Sequence, residues 1–542
     1  MGAHVVEQAE ARVRGQSLAR ASGTMAVATA VSRVSGLGAK IALVAVLGLG
    51  VVNDSYTVAN TLPTVVNELL LGGVLTSVAV PLLVRAQQEG RRQGESYAQW
   101  MITMGLVLLA AATALAVAAA PLLTQLYLGS DTRANSALTT AFAYLLLPGI
   151  VFYGLSALLA AVLNVRERFG APAWAPVANN VVVIATVVVY AVLPGEISTD
   201  PVRMGEPKLL VLGIGTALGI AVQSSIMVVS LRRTGFRFRW RWGWDHRLSE
   251  FGELAFWVVL YTAVSQVGMV VITRVTGQGT EGSVATFNYA WLLSQVPYGV
   301  LGVSLLTALM PRLSRAAAAG RSGEFVADLS LGVRTSAVML MPVSALMVVA
   351  GGAIGVSLFS VGAGDVAAAD RLGVTLGVLA LGIVPFAVTM LQLRAFYAMK
   401  DARTPTWINV IMVGFRSVLC YVFLLTVGPD RLVVAVALAM SLSFVVGAVV
   451  GQIWLHFRVG RLGSRRTAGS VLRSLAASAA GCGCAVAAVA GLDPVLASMG
   501  PVAGAWLTLA VSTVIVPVVG FGLLALFRAP ELAPALERLR RR

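Results

Sequence analysis

The sequence predicts an all-α integral membrane protein with about 14 transmembrane helices, arranged as two pseudo-symmetric six-helix lobes followed by two C-terminal helices. Composition is the first indication, since 58% of the residues are hydrophobic and only 12% are charged, where soluble domains carry about 25% charged residues. The mean hydropathy of +0.84 is the second. The third is that apolar runs of about 20 residues, each long enough to cross a bilayer as a helix, recur along almost the whole chain.

The distribution of basic residues predicts the orientation of these spans. Most of the 40 Lys and Arg lie in the tails or in loops that follow even-numbered spans. Under the positive-inside rule, both termini are therefore expected on the cytoplasmic side. The net charge of +16 then reflects membrane topology, and no nucleic-acid partner is expected. The basic residues on the opposite side are Arg133, Arg203, Lys208, Arg274, Arg371 and Arg431.

An internal repeat relates the two predicted lobes. The segments 74–90 and 304–320 close the second and eighth spans and share several residues at an offset of 230 positions. The matched pairs in these segments are Pro81 and Pro311, Arg85 and Arg315, and Gly90 and Gly320, and just before them Gly72 matches Gly302.

The repeat continues further along the chain. Pro148 in the predicted span 138–164 has a counterpart, Pro385, in the predicted span 372–399. Because each repeat contains an even number of spans, the two lobes are expected to be parallel and related by an axis along the membrane normal. Transporters of this kind bind their cargo between the lobes near the midplane.

This repeat predicts the organisation of the chain. The N-terminal tail is expected to be retained, because no small-residue cleavage pattern follows it. The predicted parts are a cytoplasmic tail (1–22), an N-lobe of six spans (23–231), a basic aromatic cytoplasmic connector (232–250), a C-lobe of six spans (251–457), two extra spans (458–527) and a basic cytoplasmic tail (528–542).

Charged and amide side chains occur inside the first two spans. Arg33 and Lys40 are two helical turns apart and therefore share a face. The second span carries Asn67 and Glu68. A charge at mid-bilayer costs about 2.5 to 3.5 kcal/mol on insertion scales, so such residues face a bundle interior or a watery cavity. The pattern predicts a polar, net cationic cavity suited to an anionic or amphiphilic cargo.

The connector interleaves arginine with aromatic residues from Arg232 to Arg247. Such a pattern can stack on bases, but Trp and Arg at the cytoplasmic headgroup level, anchoring the connector, explain it better. Direct recruitment of an anionic lipid substrate by Arg237, Arg239 and Arg241 is a further hypothesis.

No enzymatic centre is predicted. The three Cys and three His show no metal-ligand spacing, and the sequence contains no Walker loop and no catalytic triad. The glycines between Gly213 and Gly219 lie in an apolar span, which favours close helix packing over a nucleotide loop. No cofactor is expected. Coupling to an ion or to the membrane potential stays open, with Asp54, Glu68 and Glu253 as candidates for proton or cation coupling.

Four motifs stand out along the chain. They are Ser32-Arg33-Val-Ser-Gly36-Leu-Gly38, Asp54-Ser-Tyr-Thr-Val-Ala-Asn-Thr-Leu-Pro63, Gln295-Val-Pro-Tyr-Gly-Val-Leu-Gly302-Val303 with Met310-Pro-Arg-Leu-Ser-Arg315, and Arg394-Ala-Phe-Tyr-Ala-Met-Lys-Asp-Ala-Arg-Thr-Pro405. Together they resemble the MurJ/MviN family of lipid II flippases, within the multidrug/oligosaccharidyl-lipid/polysaccharide exporter superfamily. The resemblance covers essentially the whole chain, including the two extra spans, and the fourth motif is the most specific.

The resemblance implies a function and a location. It implies transport of the undecaprenyl-pyrophosphate-linked peptidoglycan precursor, lipid II, from the inner to the outer leaflet of the bacterial inner membrane. In the family a cationic cavity in the first lobe receives the pyrophosphate and sugars, and a groove formed with the last two helices takes the polyprenyl tail. Arg33 stands at the family's first essential arginine, and Asp54 at an acidic position near the outer mouth of span 2.

The sequence also departs from the family pattern. Ala39 and Lys40 replace an arginine followed by an acid, and Asn67 and Glu68 replace an arginine pair. In span 8, Leu292, beside Trp291, stands at a position where the family pattern has a basic residue. The exchange of an acid for Lys40 and of a base for Glu68 suggests a reversed ion pair between neighbouring helices, with snorkelling or other partners as the alternative.

The candidate site residues are of two kinds, predicted cargo contacts and residues for further contact or gating. Arginine's planar fork suits phosphate oxygens, so Arg33 is the first candidate for the diphosphate. For Arg334 and Arg416 a structural role is favoured over a place in the cavity. The predicted cargo-binding residues are Arg33, Lys40, Asn67, Asp54 and Glu68, and the candidates for further cargo contact or gating are Arg416, Asn60, Gln295 and Arg394.

Two other functions stay open at this point. A drug or metabolite antiporter of the same superfamily is expected to have twelve spans and, for organic cations, an acid-dominated cavity. A non-transporting scaffold for cell-wall or division proteins is the other. The expected partners are lipid II, membrane lipids and cell-wall synthesis or division proteins.

Overall fold

The structure, a computed structural model, is helical in every regular element that it describes and contains no strand there. It describes residues 25, 27–72, 79–129, 132, 134–243, 252–460, 464–527 and 531. The predicted all-α class is confirmed. The tail 1–22, residues 73–78 of the second predicted span, residues 244–250 of the connector and nearly all of the tail 528–542 lie outside the described residues.

Helices in the first half of the chain coincide with the apolar runs and extend into the polar segments that flank them. The described helices are α1 (Val27–Leu47), α2 (Val51–Asn67), α3 (Val80–Glu89), α4 (Arg91–Ala118), α5 (Ala120–Leu128), α6 (Ser136–Leu146), α7 (Gly149–Val165), α8 (Gly170–Val192) and α9 (Pro207–Arg233).

Helices in the second half follow in a corresponding order, with an additional group at the C-terminal end. They are α10 (Gly252–Thr276), α11 (Ser283–Pro297), α12 (Val303–Ala318), α13 (Ser322–Val349), α14 (Gly351–Phe359), α15 (Val366–Ala380), α16 (Ile383–Ala398), α17 (Arg403–Thr426), α18 (Pro429–Val459), α19 (Ser464–Gly491), α20 (Asp493–Ser498) and α21 (Pro501–Leu526).

Eleven helices among the described residues are long and apolar enough to cross a membrane, and two bent pairs raise the number to 13. The middle of the second predicted span lies outside the described residues, so that span is not among those counted. These numbers agree with the expected multi-span bundle.

The chain divides into two compact units. The first takes the described residues of Met1–Val46, Ser55–Leu126 and Asn135–Thr262, and the second those of Leu47–Asp54, Tyr127–Ala134 and Ala263–Arg542. The short segment Leu47–Asp54 thus belongs to the second unit, although the chain on both sides of it belongs to the first.

Small residues bring helices close together within each unit. In the first, a Cβ on Gly215 of α9 would lie 2.3 Å from Cγ2 of Thr186 on α8, which confirms the close packing predicted for this glycine run. In the second, a Cβ on Gly355 of α14 would lie 2.1 Å from the carbonyl oxygen of Ala369 on α15. Backbone-to-backbone contact of this kind leaves no room for a side chain.

Equivalent irregularities mark the two copies of the repeat. A π-helical turn covers Glu68–Gly72 in the first copy and Tyr298–Gly302 in the second, at the predicted offset of 230. The pairs α6 with α7 and α15 with α16 are each bent by 46°. The bends fall beside Pro148 and just before Pro385, the prolines matched in the sequence. The repeat is therefore structural as well as sequential.

Candidate functional site

The first sequence motif is held by an amide of the neighbouring helix. Asn180 of α8 donates from Nδ2 to the carbonyl oxygen of Ser32 and to Oγ of Ser35, both at 3.0 Å. Gly36 leaves space for this amide, since a Cβ there would lie 3.3 Å from Nδ2 of Asn180. This contact fixes the rotation of α1 about its own axis within the first unit.

That rotation determines where the two basic residues of α1 project. Arg33 and Lys40 lie on one face, about a quarter-turn around the helix from the contact with Asn180. The Arg33 side chain is exposed and that of Lys40 is half-buried. The helix therefore presents two cations along one stripe, with the guanidinium the more accessible of them.

Asn67 and Glu68 lie where α2 passes into its π-helical turn. Oδ1 of Asn67 is buried and accepts no hydrogen bond from any residue that the structure describes. Glu68 is the first residue of the π turn and is exposed. One extra residue per turn rotates the helix face at this point, and π turns are frequent at functional sites.

Asp54 caps a helix. Its carboxylate is 3% exposed and accepts hydrogen bonds from the backbone N–H groups of Gly282 at 2.9 Å and Ala285 at 2.7 Å. Both donors belong to the N-terminal turn of α11, where unpaired N–H groups and the helix dipole favour a negative charge. Asp54 thus stabilises the start of α11 from the segment Leu47–Asp54.

Asn53 extends this cap. Its Oδ1 accepts a hydrogen bond from the Tyr289 hydroxyl at 2.6 Å, and its Nδ2 donates to the carbonyl oxygen of Gly48 at 2.6 Å. Gly282 is required at the junction, because its φ is 80° and a Cβ would lie 2.1 Å from the carbonyl oxygen of Leu49. We call Asn53, Asp54, Gly282, Ala285 and Tyr289 the outer cap, because the positive-inside rule predicts that this end of the spans lies outside.

Arg416 of α17 lies in the interior of the second unit. It is 6% exposed, and its Nη1 is 2.7 Å from Sδ of Met440 on α18. Gly268 of α10 makes room for it, since a Cβ at that position would lie 1.9 Å from Nη2 of Arg416. Arg416 therefore joins α10, α17 and α18 within this unit.

Substitution of Gly268 by alanine is expected to lower the thermal stability of the purified protein. The added methyl group would overlap the Arg416 guanidinium, and such overpacking costs about 1–3 kcal/mol. In an Arg416→Met background the same substitution is expected to have a much smaller effect, because the overlapping atoms are gone. Unfolding temperatures of the four proteins check this, and equal losses in both backgrounds would contradict it.

The other candidates occupy separate places. Arg334 of α13 forms an ion pair with Glu531 at 3.1 Å, which agrees with the structural role preferred for it. Asn60 and Gln295 are half-buried on α2 and α11, whereas Arg394 is exposed on α16.

The two units divide the predicted site residues between them. The first unit contains Arg33, Lys40, Asn60, Asn67 and Glu68, and the second contains Asp54, Gln295, Arg394 and Arg416.

Leu292, where the family pattern has a basic residue, is 41% exposed. Its neighbour Trp291 packs into an aromatic cluster, with ring centroids 6.0 Å from Phe386 and 5.9 Å from Phe444. This part of α11 is therefore apolar. Among the described residues no group of three or more His, Cys, Asp or Glu could hold a metal ion.

Two polar elements of the site were missed in the sequence. Asn180 follows Asn179 inside an otherwise apolar span. Such a pair of amides inside a span is a sequence signal for a polar contact between helices. The partners of the outer cap in α11 carried no signal, because they are backbone groups and one tyrosine hydroxyl.

Comparison with solved structures defines the class of protein. A structure described as "Lipid II flippase MurJ, inward closed conformation" matches with a TM-score of 0.71 and 19% identity, covering 92% of this chain and 98% of that chain. An inward-facing multidrug resistance transporter of the MATE family matches with a TM-score of 0.64 and 15% identity, covering 80% of this chain and 96% of that chain. The chain has the fold of a multi-span membrane transporter.

Comparison of sequences is more specific. A family model described as "Lipid II flippase MurJ" matches residues 43–524. The chain belongs to the lipid II flippase MurJ family. Two relatives are a probable lipid II flippase MurJ of Rhizobium meliloti, 27% identical with 80% of each chain covered, and a lipid II flippase MurJ of Burkholderia cenocepacia, 26% identical with 79% of this chain and 82% of the relative covered.

Proposed function

We propose that this protein moves lipid II, the undecaprenyl-pyrophosphate-linked peptidoglycan precursor, from the inner to the outer leaflet by alternating access. The observation that carries the proposal is the family match, which runs through both units and into the last helix, α21. The fold, shared with a lipid II flippase and a multidrug resistance transporter, supports a transporter rather than a scaffold.

The cationic stripe of α1 is the proposed contact for the cargo's diphosphate. Arg33 offers parallel N–H donors that match phosphate oxygens, and Lys40 adds a point charge two turns further along the helix. The amide of Asn67 has an acceptor without a described partner, which suits a sugar or peptide N–H or hydroxyl. In this proposal the first unit supplies both the positive charge and the hydrogen bonds that bind the cargo.

The C-terminal helices are proposed to receive the polyprenyl tail. Helices α19 and α21 pack on each other and on α13, around a core of Val338, Ala477 and Leu524. Outside this core both helices keep large apolar side chains exposed, including Leu475 and Val518. An exposed apolar face of this kind suits a lipid chain.

The outer cap is proposed to hold the external side closed between transport steps. A transporter that alternates needs a contact that forms in one state and breaks in the other. The Asp54 carboxylate and the N-terminal N–H groups of α11 meet this requirement, because water can replace each of them as the hydrogen-bond partner of the other when the contact opens.

We infer that the protein has no resident cofactor and that an ion gradient or the membrane potential supplies the energy for transport.

The protein is proposed to lie in the bacterial inner membrane with both termini cytoplasmic, and with tails, lobes, connector and extra spans divided as the sequence predicts. An enzymatic reporter that is active only in the cytoplasm, fused after Arg542, is expected to be active. The same reporter inserted beside Arg203 is expected to be inactive. The reverse pattern would contradict this topology.

Transport itself is tested with purified protein in vesicles that contain labelled lipid II. We expect the label to reach the outer leaflet much faster with protein than without it, and cells depleted of the protein to accumulate precursor on the inner leaflet. Rescue of those cells by a known lipid II flippase completes the test. Unchanged leaflet distribution in both assays would overturn the proposal and favour the antiporter or the scaffold.

The interaction proposed between Lys40 and Glu68 is tested by a charge swap. Lys40 is half-buried and Glu68 is exposed, so breaking their ion pair is expected to cost less than the ~3–5 kcal/mol of a fully buried pair, and Lys40→Met alone is expected to impair transport moderately. Lys40→Glu combined with Glu68→Lys is expected to restore part of the activity. If the double variant is as inactive as the worse single variant, the two residues do not act as a pair.

A further inference from the structure

The first part of the connector is fastened to α4. Gln99 donates from Nε2 to the carbonyl oxygen of Arg237 at 2.9 Å, and Trp100 donates from Nε1 to the carbonyl oxygen of Gly243 at 2.7 Å. Arg241 donates from Nε to Oε1 of Gln99 at 3.1 Å and from its backbone N–H to Oγ1 of Thr103 at 3.2 Å. We call residues 235–243 the strap, because these bonds hold the segment along one helix.

The strap forms one wall of a cavity of about 540 Å³ within the first unit. Leucines from three helices line the interior, namely Leu106 of α4, Leu155 and Leu159 of α7, and Leu231 of α9. Phe236 of the strap is 4% exposed and closes one side. The Arg166 guanidinium lies 4.8 Å from the centroid of the Phe236 ring and supports it from behind. This volume lies within the roughly 300–1,000 Å³ typical of small-molecule sites.

The polar part of the lining is cationic. Arg232, in the last turn of α9, and Arg237, on the strap, both line the cavity, and no acidic side chain does so among the described residues. Both arginines are exposed and so can reach a ligand at the mouth. A leucine-lined interior with two guanidinium groups at its mouth is complementary to an amphiphile with a phosphate head.

We infer that this cavity binds an anionic glycerophospholipid of the cytoplasmic leaflet, with one acyl chain among the leucines and the phosphate between Arg232 and Arg237. The positive-inside distribution places α9's last turn at the leaflet where anionic headgroups attract basic residues. A cavity of this volume accommodates an acyl chain but not the disaccharide-pentapeptide head of lipid II. The phospholipid site is therefore distinct from the site that binds the cargo, and phospholipid binding does not depend on transport.

The test uses the full-length purified protein in neutral detergent, titrated with phosphatidylglycerol or phosphatidylcholine, with bound lipids counted by native mass spectrometry. We expect a tightly retained phosphatidylglycerol and no equivalent phosphatidylcholine. The double variant Arg232→Gln/Arg237→Gln is expected to bind it at least about 10-fold more weakly, because two charge-assisted contacts are lost. The matched control Arg92→Gln/Arg233→Gln, with the same loss of charge at exposed positions outside the lining, is expected to bind it like the wild type.

A second measurement needs no variant. Phosphatidylglycerol with a photoreactive group in its acyl chain is expected to label the wild-type protein at residues 102–106 and 155–159. Labelling confined to other helices would overturn the inference, as would equal retention of the two phospholipids or equal weakening in both double variants. Displacement of the phospholipid by a smaller amount of undecaprenyl pyrophosphate would assign the cavity to the cargo instead.

Discussion

Replacement of Arg33 by methionine is expected to reduce lipid II transport in vesicles by at least about 10-fold. The diphosphate would lose a bidentate, charge-assisted contact, and hydrogen bonds to charged groups contribute about 1.5–3 kcal/mol. Arg33→Lys keeps the charge but not the fork, so an intermediate rate is expected. Because the Arg33 side chain is exposed, the unfolding temperature is expected to change little.

The matched control for this prediction is Arg203→Gln, which removes an exposed arginine from the loop before α9. It is expected to transport at the wild-type rate. Normal transport by Arg33→Met, with normal amounts of protein in the vesicles, would remove Arg33 from the cargo site. A large fall in its unfolding temperature would instead indicate a structural role.

Loss of the carboxylate of Asp54 is expected to destabilise the protein and to open its external side. Asp54→Ala leaves two N–H groups of α11 without their acceptor, and unsatisfied buried groups cost about 1–3 kcal/mol each. Asp54→Asn keeps one acceptor oxygen and is expected to be milder. In a background with the three native cysteines replaced, Ser283→Cys, at a position that is 1% exposed, is expected to react faster with an impermeant maleimide once Asp54 is alanine.

Asp365 offers a matched control for this substitution. It caps α15 in the same unit, accepting a hydrogen bond from the backbone N–H of Ala368 at 3.0 Å, but it is exposed. An exposed cap costs about 0.5–2 kcal/mol when removed, and Asp365→Ala is expected to leave the labelling of Ser283→Cys unchanged. Equal labelling in the Asp54→Ala and wild-type backgrounds would exclude a gating role for the outer cap.

Hydropathy predicted the helical class and the position of most spans. In lipid the backbone must satisfy its own hydrogen bonds, which requires long apolar helices irrespective of the contacts that individual side chains make. Hydropathy did not predict where helices end. The helix α4 begins at Arg91 rather than within the apolar run, since charged residues continue a helix in water as readily as apolar residues do in lipid. The single predicted span 138–164 is two helices, joined at a bend beside Pro148.

The site was predictable in part. Arg33 was singled out because a charge inside an apolar run is costly and therefore significant, and Asp54 because it matches an acidic position of the family that the chain resembles. The partners of Asp54 were not predicted, because they are backbone N–H groups more than two hundred positions away in the sequence. Backbone groups have no sequence signature. The strap likewise depends on backbone carbonyl oxygens of Arg237 and Gly243.

The paired π-helical turns at Glu68–Gly72 and Tyr298–Gly302 bear on the history of the chain. A π turn adds one residue to a helix, and such an insertion is an uncommon event. Its presence at the same position in both copies is explained most simply by a single insertion in a six-span ancestor, before the gene for that ancestor was duplicated. The two turns are then older than the differences in charge that now distinguish Glu68 from Tyr298.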